Sequence, residues 1–414
     1  MLRPVIEHLR RDEFDEALAA MAARASEHDR AATFPHEAFD ALRPTGALSL
    51  TVPTACGGGG GGLAACCELV EAIGRADASV ALVVALHSIF HSSLAHAENP
   101  WPAELRERVQ RSAVEEGSLV NALRVEPELG TPARGGLPAT VATRRVDGGW
   151  RISGHKIYTT GIPRLRWLAV WARTQGGESG PGAGNGSGEP LVGTFLVEAG
   201  TPGYRVDPTW DHLGMRATRS DDVIFADVEV PADHAVALAP AGALPIEALD
   251  PAFLAWNNLV LSSIYHGVAL AARDWLVGYL NERTPTSLGA PLASLPRFQQ
   301  AVGEIEALLH ANGRLIHSTA AEVDDGPDRD AAARGSGLVK RTATANAIRA
   351  VEIGISLIGN PALSRRNPLE RHYRDVLCSR IHTPQDDTIV LMAGRAALAT
   401  SPPRGTSQSG IGGG

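Results

Sequence analysis

The sequence predicts an α+β protein in three parts: an N-terminal helical domain over residues 1–115, a middle antiparallel β domain over 116–240 and a C-terminal four-helix bundle over 241–400, with a disordered tail at 401–414. Two observations carry this. Apolar residues recur at helical spacing in the first and last parts, while the middle part alternates and is rich in β-branched residues. Glycine- and proline-rich breaks fall where the period changes. Hydrophobic residues make up 44% of the 414, enough for a large core.

In the first part, Asp12–Arg24 and Phe34–Arg43 read as helices, the second with Pro35 near its start. Residues 57–62 are consecutive glycines. They lack the Lys-Ser/Thr of a phosphate loop and follow no strong strand, so they read as a flexible connector. Leu63–Asp77 and Val80–Ala97 read as further helices. His87 and His91 lie four apart on one face of the latter. That is a metal-ligand spacing, but no Glu adjoins His87 as in a zinc-protease helix. The pair reads as the polar lining of a cavity, against plain core or surface, rather than as a metal site.

In the middle part, strands fall at 139–145, Trp150–Ser153, Leu168–Arg173, Val192–Val197 and Asp222–Val230, separated by Asp147-Gly-Gly and Thr201-Pro-Gly turns. Residues 176–189 are Gly/Ser-rich and read as a flexible surface excursion. In the last part, Phe253–Asn281, Arg297–Val323, Ala331–Ile358 and Thr388–Ala399 carry the bundle pattern.

Charge and composition exclude several classes. A net charge of −8 argues against a nucleic-acid surface. No apolar run approaches a membrane span, and the N-terminus has charges where a signal peptide needs an apolar centre. Cys56, Cys66, Cys67 and Cys378 show no CxxC spacing and read as reduced thiols of a cytoplasmic protein.

The densest chemistry lies at 371–387. Arg371, Arg374 and Asp375 precede a short turn holding His382, then Pro384, Gln385, Asp386 and Asp387. Either aspartate can N-cap the helix that follows. His382 is the side chain there whose ordinary pKa lies near neutrality.

Several stretches resemble the acyl-CoA dehydrogenase superfamily of flavoproteins. Phe195–Val206, His212–Ser220 and Val223–Pro231 resemble its middle domain. Gly154-His-Lys-Ile-Tyr-Thr-Thr-Gly161 resembles its flavin strand, and Asn121–Pro127 its preceding flavin loop. Leu288–Leu292 and Asn367–Asp375 resemble a bundle turn and the segment before the catalytic turn. The resemblance implies a flavin, FAD or FMN, held between β domain and bundle in a homotetramer. It implies contacts from Asn121, Tyr158, Thr160, Gly161, Gln385 and Asp387, with Thr160 near flavin N5 and Arg283 toward a pyrophosphate. Carboxylates at Asp386 and Asp387 would repel that pyrophosphate, which Arg283 would offset.

Dehydrogenases of this family take a substrate proton with a Glu at one of two places. Here those positions hold Thr383 and Asn257, neither a useful base at neutral pH. A histidine at 382 with Pro384 resembles instead the monooxygenase branch, such as dibenzothiophene monooxygenase, which receives reduced flavin from a separate reductase. The resemblance implies that His382 is catalytic on a small organic substrate, with His87 or His91 lining its cavity. An acyl-CoA dehydrogenase with a relocated base and a catalytically silent flavin- or acyl-binding partner remain the alternatives.

Overall fold

The computed structural model describes residues 9–129, 136–176, 189–240 and 251–399. The expected tail, and nearly all of the 176–189 excursion, lie outside the described residues. Five helices come first: α1 (Arg11–Ala31), α2 (His36–Leu42), α3 (Leu63–Ala76), α4 (Ala78–Ala95) and α5 (Ala103–Glu115). Eight strands follow: β1 (Leu119–Leu123), β2 (Val141–Arg144), β3 (Trp150–Lys156), β4 (Leu165–Thr174), β5 (Leu191–Glu198), β6 (Tyr204–Asp207), β7 (Asp222–Val230) and β8 (Ala235–Pro240). The chain then returns to helix in α6 (Pro251–Glu282), α7 (Pro296–Asp325), α8 (Arg329–Ile358), α9 (Leu369–Leu377) and α10 (Asp386–Ala399).

The strands form one sheet in the order β6-β7-β3-β2-β4-β5-β8, with β1 added on β4. The sheet is mixed rather than wholly antiparallel, because β4 pairs in parallel with both β1 and β2. Alternation reveals which face a residue takes but not which way its neighbour runs. Strands β1, β6 and β8 are too short or too uniformly apolar to stand out in sequence.

The glycine run is not a flexible connector. Gly58, Gly59, Gly60 and Gly61 donate their N–H groups to Pro53, Ser49, Val52 and Leu50 at 2.7–3.1 Å. A Cβ at Gly58 would lie 2.3 Å from the Val52 carbonyl oxygen, and one at Gly61 2.9 Å from Leu50 Cγ. Glycine is there for close backbone approach. The run then enters α3, whose first N–H groups, at Leu63 and Ala64, donate to the Asp324 carboxylate of α7 at 2.9 and 2.8 Å. A carboxylate of the protein therefore fills the place a phosphate loop would offer to a ligand.

Helix α4 also departs from expectation. Its eighteen residues, mean hydropathy 1.6, are long and apolar enough to cross a membrane by length and composition, but 72% of them are buried inside the protein. Asp77 caps it through the N–H groups of Ser79 and Val80 at 2.7 and 3.2 Å. The apolar core is continuous from α1 through α3, α4 and the sheet into α6–α9. Each buried Leu, Val or Ile, such as Leu69, Val70 and Ile73 of α3, contributes about 1.5–3 kcal/mol. The fourth expected bundle helix, α10, seats Ile389 against Gly337 of α8 but leaves Val390, Leu391, Met392 and Leu398 exposed.

Candidate active site

The site has two sides. On the sheet side, β3 ends at Lys156 and the chain turns through Tyr158, Thr159, Thr160 and Gly161. Gly161 has a φ of +81°, and a Cβ there would meet Val83 of α4 at 3.0 Å, so the turn closes only with glycine. Tyr158 is also at positive φ, +58°, and half its ring is exposed. It stands edge-on to Trp210 and His212, which stack on each other at 3.7 Å. Asn121 braces the turn: its Nδ2 donates to the Thr160 carbonyl at 3.0 Å, and its Oδ1 accepts from the Ala122 N–H at 2.8 Å. The buried Thr160 hydroxyl lies 2.9 Å from that of Ser220, which lies 2.8 Å from that of Thr218.

Behind this turn is a buried ion pair. Lys156 Nζ donates to Glu126 Oε1 at 2.6 Å, and both side chains are almost wholly out of solvent. Glu126 also accepts from the N–H groups of Ala139 and Thr140 and from the Thr140 hydroxyl. Burial pushes its carboxyl up, but these hydrogen bonds, led by Lys156, hold it below the ordinary range.

The bundle side grows from α9. Loop 211–221 links the two sides, since the Met215 N–H donates to Asp375 Oδ1 of α9 at 2.7 Å. Burial raises the Asp375 carboxyl to about 7 against the pull of Arg371. Arg374 pairs with Asp29 of α1 and Glu370, anchoring α9. One turn later comes His382, whose ring lies 5.8 Å from that of Tyr265 on α6. His382 Nε2 and the Tyr265 hydroxyl are buried and, among the described residues, have no hydrogen-bond partner. Burial, then the positive charge of Lys340, lowers the imidazole to about 4. The ring is neutral at physiological pH, and burial is the main cause.

The backbone of this turn is held from outside. Lys340 Nζ of α8 donates to the His382 carbonyl at 2.7 Å and also to the Pro384 carbonyl. Asn257 Nδ2 of α6 donates to the Thr383 carbonyl. The two positions that could have held a base are thus bonded to each other as scaffold. Burial lowers Lys340 to about 8, with Asp386 opposing.

Other expected site residues fall variously. His87 is committed to the scaffold: Nε2 meets the Leu48 carbonyl at 2.7 Å and Nδ1 accepts from the Val120 N–H at 3.3 Å, so it does not line a cavity. Its ring touches His91 edge-on at 4.5 Å. His91 is buried with neither nitrogen partnered among the described residues. Gln385 precedes α10, its carbonyl accepting from Ile389. Asp386 and Asp387 occupy the first turn of α10 rather than its cap, and Asp387 accepts from the Thr388 N–H. Arg283 is exposed just past the far end of α6. It is 26 positions from Asn257, or about 39 Å at 1.5 Å per residue, so one chain does not bring it to this turn.

Sequence reasoning missed Ser220, Thr218, Tyr265 and Lys340 as parts of the site. Lys340 had a signal: it interrupts the buried small-residue stripe Ala333, Ser336, Ala343, Ala347 at helical spacing.

The residues present fit a flavin: a buried hydroxyl at the turn, an aromatic surface beside it, and unpartnered polar atoms opposite. Fold and site together define a flavin-dependent oxidoreductase. The sequence matches the models of the acyl-CoA dehydrogenase N-terminal, middle and C-terminal domains over residues 7–99, 125–228 and 259–386. It is 32% identical to the putative acyl-CoA dehydrogenase YdbM of Bacillus subtilis over 88% of this chain and 90% of that one. It is 29% identical to L-evernosamine nitrososynthase of a Micromonospora species over 91% of this chain and 87% of the other. FMN-bound TdsC from Paenibacillus sp. A11-2, a dibenzothiophene monooxygenase, shares the fold with a TM-score of 0.79 at 23% identity, over 94% and 98% of the two chains. The chain belongs to the acyl-CoA dehydrogenase family.

Proposed function

We propose that this protein is a monooxygenase that uses reduced flavin and O2 on a small organic substrate. The observation that carries the reading is the bond between Asn257 and the Thr383 carbonyl, where a dehydrogenase would hold its base, beside a buried, unpartnered His382 Nε2. Reduced flavin supplies two electrons; one oxygen atom enters the substrate and the other leaves as water. Thr160, Gly161, Tyr158 and Asn121 hold the flavin, with Gln385 and Asp387 at the other side. His382, neutral, offers one hydrogen bond to the reacting oxygen or the substrate. His91 lines the substrate cavity. A separate reductase delivers the reduced flavin.

The protein acts as a homotetramer in this reading. Arg283 reaches a flavin only in a neighbouring subunit, and the exposed Val390, Leu391, Met392 and Leu398 of α10 offer the apolar face that such contacts cover. A stable flavin-loaded monomer in sedimentation would remove this part.

The test mixes protein, chemically reduced FMN or FAD, isotopically labelled O2 and indole as the probe substrate. Labelled oxygen in the product supports the reading. Anaerobic bleaching of bound flavin by butyryl-CoA overturns it in favour of a dehydrogenase, the reading that the likeness to YdbM favours. Reaction with neither, with flavin bound, points to a silent binding protein.

A further inference from the structure

We propose that Tyr265 and Ser379 enclose, with His382 Nε2, a buried water site that carries protons to the inner side of the His382 ring. The inference rests on the reading of His382 as the group that acts on oxygen or the substrate, and deepens it.

Three buried polar atoms on the bundle side have no partner among the described residues: the Tyr265 hydroxyl, Ser379 Oγ and His382 Nε2. They belong to elements packed on one another. The Tyr265 ring, on α6, lies 5.8 Å from that of His382, inclined by 36°. Burial raises its hydroxyl well above the ordinary value, and Cys378 and Asp375 stand near enough to add to that rise. Ser379 follows Cys378 in the short turn Cys378–Ile381, which ends at His382. A buried water makes about three hydrogen bonds to polar groups that the protein leaves unmet, and this cluster offers that number.

No charged side chain competes for the place. Lys340 is spent on the carbonyls of His382 and Pro384, Arg374 on Asp29 and Glu370, and Arg371 donates to Ser26. The Cys378 thiol, pushed up by burial to about 12, keeps its proton, as does the Tyr265 phenol. Neutral hydroxyls can give or accept, and a relay uses them in both directions.

The proposed reaction needs such a route. The water it forms takes two protons; reduced flavin bound as its anion brings one, and solvent supplies the other. Flavin and substrate cover the outer side of His382 at that moment. The ring as a whole is only partly buried, whereas Nε2 is buried. A neutral imidazole that receives a proton on Nε2 can release one from its other nitrogen into the cleft. Asp375, its carboxyl raised to about 7, can hold the incoming proton near neutral pH. Tyr265 and Ser379 touch neither flavin nor substrate in this account; they are positioning residues that act through His382.

The experiment uses the full-length protein loaded with oxidised FMN and carrying isotopically labelled histidine. Exchange of the His382 ring N–H with solvent is followed by NMR in wild type, Tyr265→Phe and Ser379→Ala, the signal being assigned by its loss in His382→Ala. Each variant should slow this exchange by about 10-fold or more, with flavin affinity unchanged; losing the acid itself would cost about 10²–10⁴ in turnover. With reduced FMN, O2 and indole, each should divert turnover several-fold toward peroxide and raise the solvent deuterium isotope effect on product formation. A crystal structure should show an ordered water bonded to at least two of the three atoms. Exchange at the wild-type rate in both variants overturns the relay, and so does a crystal structure with no water there. Slowed exchange in a protein whose wild type inserts no oxygen supports the water route and removes the oxygenase reading instead. Ser379→Ala takes away a single oxygen, so it decides the matter even if Tyr265→Phe fails to fold.

Discussion

The two sides of the site are built by opposite means. The sheet side is the more closed of the two: the Thr160 hydroxyl, the Asn121 amide and the Glu126–Lys156 pair each have partners within the protein, and Thr159 Oγ1 and His212 Nδ1 are its buried atoms left without one among the described residues. The bundle side keeps polar capacity in reserve, with His382 Nε2 and the Tyr265 hydroxyl buried and unpartnered among the described residues. A buried polar group without a partner costs about 1–3 kcal/mol. A fold tolerates that cost where a ligand will supply the missing bond. In the proposed reading the sheet side gives most of the cofactor contacts and the bundle side holds the group that acts on oxygen or the substrate.

The sharpest way to break this comparison is His382→Ala. If the bundle side holds the chemistry, flavin affinity should stay nearly intact while product formation falls by about 10²–10⁴, the usual span for a lost proton donor or acceptor. Reduced flavin would still react with O2 and release hydrogen peroxide, and His382→Glu would not restore oxygenation. Substrate-dependent oxygen insertion at the wild-type rate would take the role away from His382.

On the sheet side the largest effect is structural. Glu126→Ala leaves Lys156, 0% exposed, without its counter-charge. Urea denaturation should show a loss of about 3–5 kcal/mol, the cost of stranding one member of a buried pair. Equal stability in the variant would mean that the pair is not part of the closed side.

Titration separates the sides further. His87 and His372 are buried and lowered to about 4 and 3, and His91 lies well below its ordinary value, all chiefly by burial. Between pH 6.5 and about 4 the unfolded chain binds protons that these native imidazoles refuse, so stability falls as pH falls. Each contributes a slope of up to about 1.4 kcal/mol per pH unit. Asp375 works the other way, since its raised carboxyl binds a proton in the native state below about pH 7. The net expectation is a urea midpoint that drops steadily from pH 6.5 to pH 5. A flat midpoint would mean that the histidines are not held neutral.

What was legible in sequence divides along the same line. The helical and alternating periods carried the three-part architecture because they are local. The turn proposed to face the flavin stands out in sequence because Gly154–Gly161 holds its residues in one contiguous word. The glycine run was misread because its partners, the backbones of Leu50 and Val52, are a matter of tertiary contact. His87 looked like cavity lining because nothing local reveals that Leu48 and Val120 occupy both its nitrogens. Asn257 was legible as a vacant base position but not as a brace, for its partner Thr383 lies 126 residues away.

That brace gives the smallest effect. Three consecutive carbonyls, those of His382, Thr383 and Pro384, accept from side chains on α6 and α8, two of them from Lys340 and one from Asn257. Asn257→Ala removes one neutral hydrogen bond and should cost only about 0.5–1.5 kcal/mol, whereas Lys340→Met removes charge-assisted bonds at about 1.5–3 kcal/mol. Both losses fall on the backbone that presents His382, not on the flavin. In peroxide-versus-product measurements with indole, Asn257→Ala should therefore shift the yield a few-fold toward peroxide and Lys340→Met further, with flavin affinity unchanged in each. If Asn257→Ala instead weakened flavin binding as much as it lowered product yield, the turn would serve the cofactor too, and the division between the two sides would not hold.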